Sequence, residues 1–316
     1  FWELIEDKKM LKILKTAEDS KNWLDSMTAI VEKNGQGTNM DNYTAIVTFL
    51  DGAPEPRQTE NSVQAKSQKY RISEKQVLGD RADQQDALYS FYDDKKEELF
   101  AVICDGMGGA FGGKEASSIA INKLIELHDS KMESESPFEF FDRALDIIDN
   151  EVAALKEKDE KYKKAGTTLV SVIIENDELY YFSVGDSPLY LIRNNKIKML
   201  TREHNVKFAK DEGLAIYKNL KNYSDDTLIS FIGKGGIDIY DLNKGGVILE
   251  RDDILLLTSD GLTKILSDEE LKGIILEEEF DNALQKLFSE TERRAKGKRD
   301  NTTAILIKVG SKSDEK

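Results

Sequence analysis

Four aspartates lie where short apolar runs begin or end. Asp105, Asp186 and Asp260 each follow such a run, and Asp300 directly precedes one. Three of them have a glycine neighbour, which lets the backbone approach a ligand closely and offer its carbonyl oxygen. A single Asp-Gly after a strand is usually only a turn, but four such aspartates favour a site. Carboxylate and carbonyl oxygens suit hard cations such as Mg²⁺ and Mn²⁺, and two of these could clamp a phosphoryl group.

The charge and composition of the chain indicate which kinds of binding partner and which cellular location to expect. The chain has 316 residues and carries 45 basic and 60 acidic side chains, for a net charge of −15. This sign disfavours nucleic acid and anionic membranes, and it is compatible with metal cations, with basic partners or with solubility alone. No apolar run approaches the roughly 20 residues that a membrane-spanning helix needs. Cys104 is the single cysteine, so we expect a reducing, cytoplasmic location.

From about residue 70 onward the pattern alternates between strands and helices. Apolar runs at 99–104, 168–174, 179–184, 189–192, 253–258 and 302–309 predict strands. Helices are expected to begin at Gly112-Gly113, after Ser136 and after Ser267, and to cover 281–294. Adjacent strands followed by paired helices indicate antiparallel sheets with helices packed outside.

One short sequence occurs twice. Asp41-Asn-Tyr-Thr-Ala-Ile-Val47 recurs with two changes as Asp300-Asn-Thr-Thr-Ala-Ile-Leu306. Residues 1–50 therefore look like a partial repeat of a C-terminal segment, followed by a linker at 51–68, a complete domain at 69–311 and a disordered tail at 312–316. The repeat is either the end of an upstream tandem domain or a unit through which the chain associates with this domain or another chain. It lacks counterparts of Asp105 and Asp260, so we expect Asp41 to be catalytically inert.

The motifs around these aspartates resemble the type-2C protein phosphatases, the metal-dependent serine/threonine phosphatase family, in their bacterial form. They follow in family order: Arg81-Ala-Asp-Gln-Gln-Asp86, Asp105-Gly-Met-Gly-Gly109, Gly166-Thr167-Thr168, Val184-Gly-Asp-Ser187, Leu200-Thr-Arg-Glu-His204, Leu257-Thr-Ser-Asp-Gly261 and Arg299-Asp-Asn301. The resemblance covers residues 70–310 and implies an α+β fold, an αββα four-layer sandwich of two antiparallel sheets flanked by helices.

The resemblance also implies a metal site for Mn²⁺ or Mg²⁺. Asp105 would bridge two ions, with the Gly106 carbonyl on one of them. Asp260 and Asp300 would complete the second, and Asp186 would serve a third, weaker site together with Asp260. A hydroxide between the two metals would attack phosphorus directly, without a phosphoenzyme.

Two further residues receive roles from the resemblance, and four positions depart from the family pattern, among them Pro188, which replaces a frequent Arg. Asp86 would orient metal-bound waters, and Arg81 would hold two phosphate oxygens. Gln85 stands where many members have Glu, Met107 where some carry a candidate general acid, and Lys264 where several place another acid.

The expected substrates are proteins phosphorylated on serine or threonine. Two alternatives stay open from the sequence: a non-catalytic member that binds phosphoproteins, and a hydrolase of small phosphoesters with the same fold. We expect His204 to make a structural hydrogen bond and His128 to end a helix. Segment 205–230 lies where the family has a flap, and it is interpreted either as a substrate contact or as a solvated loop.

Overall fold

The computed structural model describes residues 69–215, 219–220 and 222–310. The predicted partial repeat at 1–50, the linker at 51–68 and the tail at 312–316 lie outside the described residues. None of the described helices is long and apolar enough to cross a membrane.

The described chain alternates between strands and helices. The strands are β1 (Tyr70–Val77), β2 (Asp86–Asp93), β3 (Glu98–Met107), β4 (Gly166–Thr167), β5 (Leu169–Glu175), β6 (Glu178–Val184), β7 (Leu189–Arg193), β8 (Lys196–Met199), β9 (Asp241–Leu242), β10 (Val247–Ile248), β11 (Ile254–Thr258) and β12 (Thr302–Val309). The α-helices are α1 (Gly109–Asp129), α2 (Pro137–Ala153), α3 (Leu155–Lys158), α4 (Val206–Asp211), α5 (Asp260–Thr263), α6 (Asp268–Glu277) and α7 (Phe280–Arg294).

The strands form two antiparallel sheets. One has five strands in the order β1-β12-β11-β7-β8, and the other has seven, with the main order β10-β6-β5-β3-β2. The alternating side chains of β3 show how the layers pack. Leu99 and Ile103 face the other sheet, whereas Phe100 and Cys104 pack against α1 and α2. Helices α6 and α7 cover the outer face of the first sheet. The four-layer sandwich is therefore confirmed.

Local sequence signals fix several element ends as predicted. Ser136 and Glu139 form a reciprocal capping box at the start of α2. The β5–β6 and β7–β8 hairpins turn at Asn176-Asp177 and Asn194-Asn195, and all four residues have positive φ. Asparagine and aspartate tolerate this conformation better than most residues, so these turns were readable from sequence.

Two predicted boundaries near the site were wrong. Helix α1 begins at Gly109, not at Gly112-Gly113. A Cβ on Gly113 would lie 2.6 Å from the carbonyl oxygen of Gly106, so glycine is needed inside this helix for close packing and does not mark its start. Strand β3 continues through Asp105 to Met107, because Asp105 pairs with β2 and Gly106 pairs with β4. Asp105 therefore lies within a strand and does not follow one.

Candidate active site

A cavity of about 520 Å³ collects the predicted site residues at one end of the two sheets. It is lined by Arg81, Asp105, Gly106, Asp186, Asp260 and Asp300, among others. Asp86, which was predicted beside them, lies directly opposite Asp105 on the neighbouring strand. The strand pairing explains this convergence, since antiparallel neighbours bring the end of one strand to the start of the next.

Asp86 is a buried carboxylate with only one of its oxygens satisfied. Its Oδ2 accepts hydrogen bonds from Ser259 Oγ at 2.9 Å and from Thr303 Oγ1 at 2.7 Å. Its Oδ1 is buried and has no hydrogen-bond partner in the described part of the chain. Burial raises the pKa of Asp86 to about 6, although the two hydroxyls oppose this shift. An unsatisfied buried oxygen is costly and indicates a ligand or ordered water.

The backbone of Asp105 is held by hydrogen bonds with Thr167 and Thr168. Its N–H donates to Thr168 Oγ1 at 3.0 Å, and its carbonyl oxygen accepts from Thr168 N–H at 2.8 Å and from Thr167 Oγ1 at 2.9 Å. Thr168 Oγ1 also lies 2.6 Å from Ser187 Oγ, beside Asp186. Burial, followed by the charge of Asp86, raises the pKa of the Asp105 carboxyl well above its usual range.

Asp186 follows a sharp turn that His204 stabilises. Gly185 has φ of 106°, and its N–H donates to His204 Nδ1 at 3.1 Å. His204 is fully buried, and its Nε2 lies 3.5 Å from Asp241 Oδ2. This histidine has the structural role that was expected from the sequence. Burial, followed by the charge of Asp260, raises the pKa of Asp186 to about 7.

Two cationic side chains contact the remaining carboxylates. Arg81 Nη2 lies 2.7 Å from Asp300 Oδ2. Lys264 forms an ion pair with Asp260, one helical turn earlier in the chain. Arg81, which the resemblance assigns to phosphate, therefore contacts a carboxylate in this structure, and Lys264 lies beside the cavity where the family often has an acid.

Gln85 and Asn301 join the strands beneath the cavity. Gln85 N–H donates to Asn301 Oδ1 at 2.9 Å, and Gln85 Nε2 donates to the carbonyl oxygen of Gly109 at 2.9 Å. The Gly106 N–H donates to the Gln85 carbonyl oxygen at 3.1 Å. A Cβ on Gly106 would lie 2.2 Å from the carbonyl oxygen of Gly113, so only glycine fits here.

The donor chemistry of the cavity suits a divalent cation. Asp105, Asp186, Asp260 and Asp300 offer only oxygen ligands, and burial raises the pKa of Asp105 and Asp186, so their charged forms are costly without a cation. Among the described residues, no three His, Cys, Asp or Glu side chains are already gathered closely enough to hold an ion. This agrees with the ion pairs to Arg81 and Lys264, since each turns one carboxylate toward a protein cation. The residue types therefore fit a divalent cation, provided that it replaces Arg81 beside Asp300 and Lys264 beside Asp260.

Three contributors to the site received no role from the sequence. Ser259 belongs to a quoted motif, but its contact with Asp86 joins residues far apart in the chain, so no local signal reveals it. The same holds for Thr303. Lys264 was singled out only as a departure from the family pattern; its ion pair with Asp260 could have been predicted, because the two residues are four apart, the spacing at which helical side chains meet.

The segment predicted as a flap reaches the cavity. Asn205 caps the short helix α4 by accepting from the Phe208 N–H at 2.9 Å. Farther along, Asp226 and Leu228 line the cavity. Within its described part, this segment is therefore positioned to touch a ligand.

Known proteins share both the sequence pattern and the fold. The sequence model of the protein phosphatase 2C family matches residues 77–300. Protein phosphatase PhpP of Streptococcus pneumoniae serotype 2 is 30% identical over 199 residues, which cover 62% of this chain and 79% of PhpP. The structure of the S. agalactiae serine/threonine phosphatase is 26% identical with a TM-score of 0.66, and the match covers 76% of this chain and 99% of that one.

The catalytic domain of the serine/threonine protein phosphatase PstP, solved in complex with two manganese ions, shares the fold. Its TM-score is 0.62 at 24% identity, and the match covers 77% of this chain and 99% of that one. The family match spans the motifs that build the cavity, and the two sheets have the same arrangement as in these phosphatases. The chain therefore belongs to the protein phosphatase 2C family.

Proposed function

We propose that this protein serine/threonine phosphatase hydrolyses phosphoserine and phosphothreonine in proteins with the help of two divalent cations. One observation carries the proposal: carboxylates from four separate parts of the fold converge on a single cavity, although burial raises the pKa of Asp105 and Asp186 there. A fold gains nothing from such an arrangement unless a cation compensates it.

The proposed ligand set is the one that the family resemblance implies, and all of its members line the cavity. Asp105 and the carbonyl oxygen of Gly106 would hold one ion, and Asp105 would share a second with Asp260 and Asp300. Asp186 would serve a third position together with Asp260. Both Mn²⁺ and Mg²⁺ suit these oxygen ligands. When bound, such cations lower the pKa of a coordinated water and withdraw charge from phosphoryl oxygens.

Asp86 is suited to orient the attacking water. Ser259 and Thr303 hold its Oδ2, which leaves the unpartnered Oδ1 free to accept a hydrogen bond. A fixed acceptor of this kind positions water for attack without itself forming a bond to phosphorus.

Arg81 is suited to bind the phosphate. Its side chain is 53% exposed and lines the cavity, so it can exchange Asp300 for an incoming dianion. The planar guanidinium can donate two parallel hydrogen bonds to two phosphate oxygens. The same contact would stabilise charge that develops on these oxygens during attack.

Direct attack by water, without a phosphoenzyme, agrees with the side chains at hand. Of the described residues that line the cavity, none is a cysteine, histidine or serine. The one hydroxyl, on Thr168, is occupied by the Asp105 N–H and by Ser187. A covalent route would need a free nucleophile beside a base.

Phosphate release from a phosphothreonine peptide tests the proposal. We expect phosphate release with Mn²⁺ or Mg²⁺ and none after a chelator has removed the metals. Asp105→Asn and Asp300→Asn should each lower kcat by more than about a hundredfold and weaken metal binding in calorimetry. Asp94→Asn, an exposed turn residue, is the matched control. Near-wild-type rates in either site variant would contradict the assignment. Hydrolysis of small aryl phosphates without hydrolysis of peptides would favour the small-molecule alternative.

A further inference from the structure

A second cavity adjoins the active-site cavity. It has a volume of about 460 Å³ and lies between the end of β1, the short helix α5 and the outer helix α7. Lys264 and Asp300 line both cavities. The two cavities are therefore neighbours that share these two residues as a common border.

The second cavity leaves apolar surface open. Its inner wall includes Phe288 of α7, which is buried against the sheet. At its rim, Val77 is 36% exposed and Leu78 is 41% exposed. Large apolar side chains that stay exposed beside a concave surface are typical of binding sites. This cavity therefore offers contact to an apolar group.

The rim of the second cavity is cationic, although the whole chain carries a net charge of −15. Lys75, Lys296 and Lys298 line it, and the acidic Glu292 on the same rim is neutralised by its ion pair with Arg299. Lys75 Nζ donates to Gln285 Oε1 at 2.8 Å and lies 5.7 Å from the centre of the Phe288 ring. Lys296 and Lys298 are exposed and make no ion pair within the described part of the chain. Lys296 and Lys298 are thus available to an acidic group, whereas Lys75 already contacts Gln285 and the Phe288 ring.

We infer that the second cavity binds a stretch of the substrate protein next to the phosphorylated residue, and that it selects for an acidic residue beside an apolar one. This inference rests on the proposed function. An extended peptide reaches across Lys264 from the active site, its apolar side chain contacts Leu78 and Phe288, and its carboxylate lies near Lys296 and Lys298. The charge of the rim and the shared border of the two cavities favour this occupant.

Peptide kinetics test this inference. The substrates are phosphothreonine peptides on an alanine background, with a Glu-Leu pair placed in turn at successive positions on either side of the phosphothreonine. A matched series carries Lys-Ala instead. We expect kcat/KM to be about tenfold higher for the best Glu-Leu peptide than for its Lys-Ala counterpart, which is the range for two exposed charge pairs. The difference should lie mainly in KM and shrink at high salt.

Charge reversal at the rim should remove the preference. K296E/K298E should hydrolyse both series equally and keep the wild-type rate on p-nitrophenyl phosphate, since neither lysine lines the active-site cavity. Leu78→Ser should weaken the contribution of leucine alone. The control K95E/K286E makes the same change in net charge at exposed positions outside both cavities, and it should keep the preference.

Three results would overturn the inference. The first is a wild type that hydrolyses the plain alanine peptide but shows no preference, which leaves the proposed function intact. The second is failure to hydrolyse any phosphopeptide with metal present, which rejects both. The third is a change in sedimentation of K296E/K298E with unchanged peptide preference, which would assign the surface to self-association.

Discussion

Asp86 and Asp105 lie directly opposite each other on the antiparallel strands β2 and β3. Like charges in this cross-strand position repel, and burial adds to the cost for both. Their pKa values are raised, that of Asp86 to about 6. The pair therefore stores electrostatic free energy that a bound cation would release.

The first prediction concerns stability without metal. Asp105→Asn keeps the backbone contacts to Thr168 and removes one of the opposing charges. In chelator, we expect its free energy of unfolding to exceed that of the wild type by on the order of 1 kcal/mol. Added Mn²⁺ should stabilise the wild type but not the variant, because only a bound ligand shifts unfolding. Chemical denaturation with and without metal measures both. A less stable variant in chelator would contradict the stored repulsion.

The second prediction concerns the hydroxyls that hold Asp86. Ser259→Ala and Thr303→Val should each lower the free energy of unfolding by about 1–2 kcal/mol, because each removes a buried hydrogen bond to a carboxylate. They should also lower kcat about tenfold and move the acidic limb of the pH–rate profile to higher pH, since both hydroxyls hold the pKa of Asp86 down.

Ser90→Ala is the matched control for the hydroxyl variants. Ser90 Oγ also donates to a carboxylate, that of Glu74 at 2.9 Å, but at an exposed position. It should change neither rate nor profile. If the Ser259 and Thr303 variants lose stability while the pH profile stays fixed, these hydroxyls act only in folding.

The third prediction concerns Lys264. Its ammonium group pairs with Asp260, so it competes with any cation that this carboxylate would bind. In Lys264→Gln, the Mn²⁺ concentration for half-maximal activity should fall about fivefold, with a matching change in calorimetry. Lys272→Gln breaks a comparable pair with Glu269 on α6 and should leave the metal requirement unchanged. An unchanged requirement in Lys264→Gln would show that the ion pair does not compete with metal.

The fourth prediction concerns Arg81 and asks whether its planar guanidinium or only its positive charge is needed. Arg81→Lys keeps the positive charge beside Asp300 but cannot donate two parallel hydrogen bonds. We expect kcat/KM on a phosphothreonine peptide to fall about a hundredfold, whereas the metal requirement stays near that of the wild type. Arg71→Lys alters a similar exposed contact with Asp281 and should be silent. Full activity in Arg81→Lys would contradict the proposal that Arg81 binds the phosphate through two parallel hydrogen bonds.

The fifth prediction is a pH dependence of stability away from the site. His128 Nε2 lies 3.1 Å from Glu98 Oε1, and this contact, with Lys131 nearby, holds the pKa of Glu98 well below its usual range despite burial. A lowered carboxylate pKa stabilises the fold above the unfolded value of about 4.3, and this contribution is lost as the pH falls toward the lowered pKa.

Glu98→Gln tests this linkage. The wild type should be more stable than the variant near pH 7, and the difference should shrink below about pH 4. Glu133 is an exposed residue that lines the same surface pocket as Glu98 and His128, and Glu133→Gln should leave the pH dependence of unfolding unchanged. A constant difference between wild type and Glu98→Gln at all pH values would exclude the linkage.

The sequence by itself determined most of the elements and singled out the aspartates that line the cavity. Apolar runs such as 253–258 become buried strands, and paired Asn and Asp residues mark the hairpin turns, because both signals depend on neighbours in the chain. The glycine-flanked aspartates were found for the same reason. The start of α1 was predicted wrongly, because Gly113 is required by its close packing against Gly106, and no local sequence pattern reveals that contact.

Only the tertiary structure decided how the charges are arranged. Asp86 meets Ser259 and Thr303, and Arg81 meets Asp300, across large separations in sequence. Such contacts depend on which strands become neighbours, and the free energy of those pairings comes from the whole core. The sequence therefore predicts which carboxylates could bind metal, whereas the fold determines which protein cations occupy them and which buried oxygen is left open.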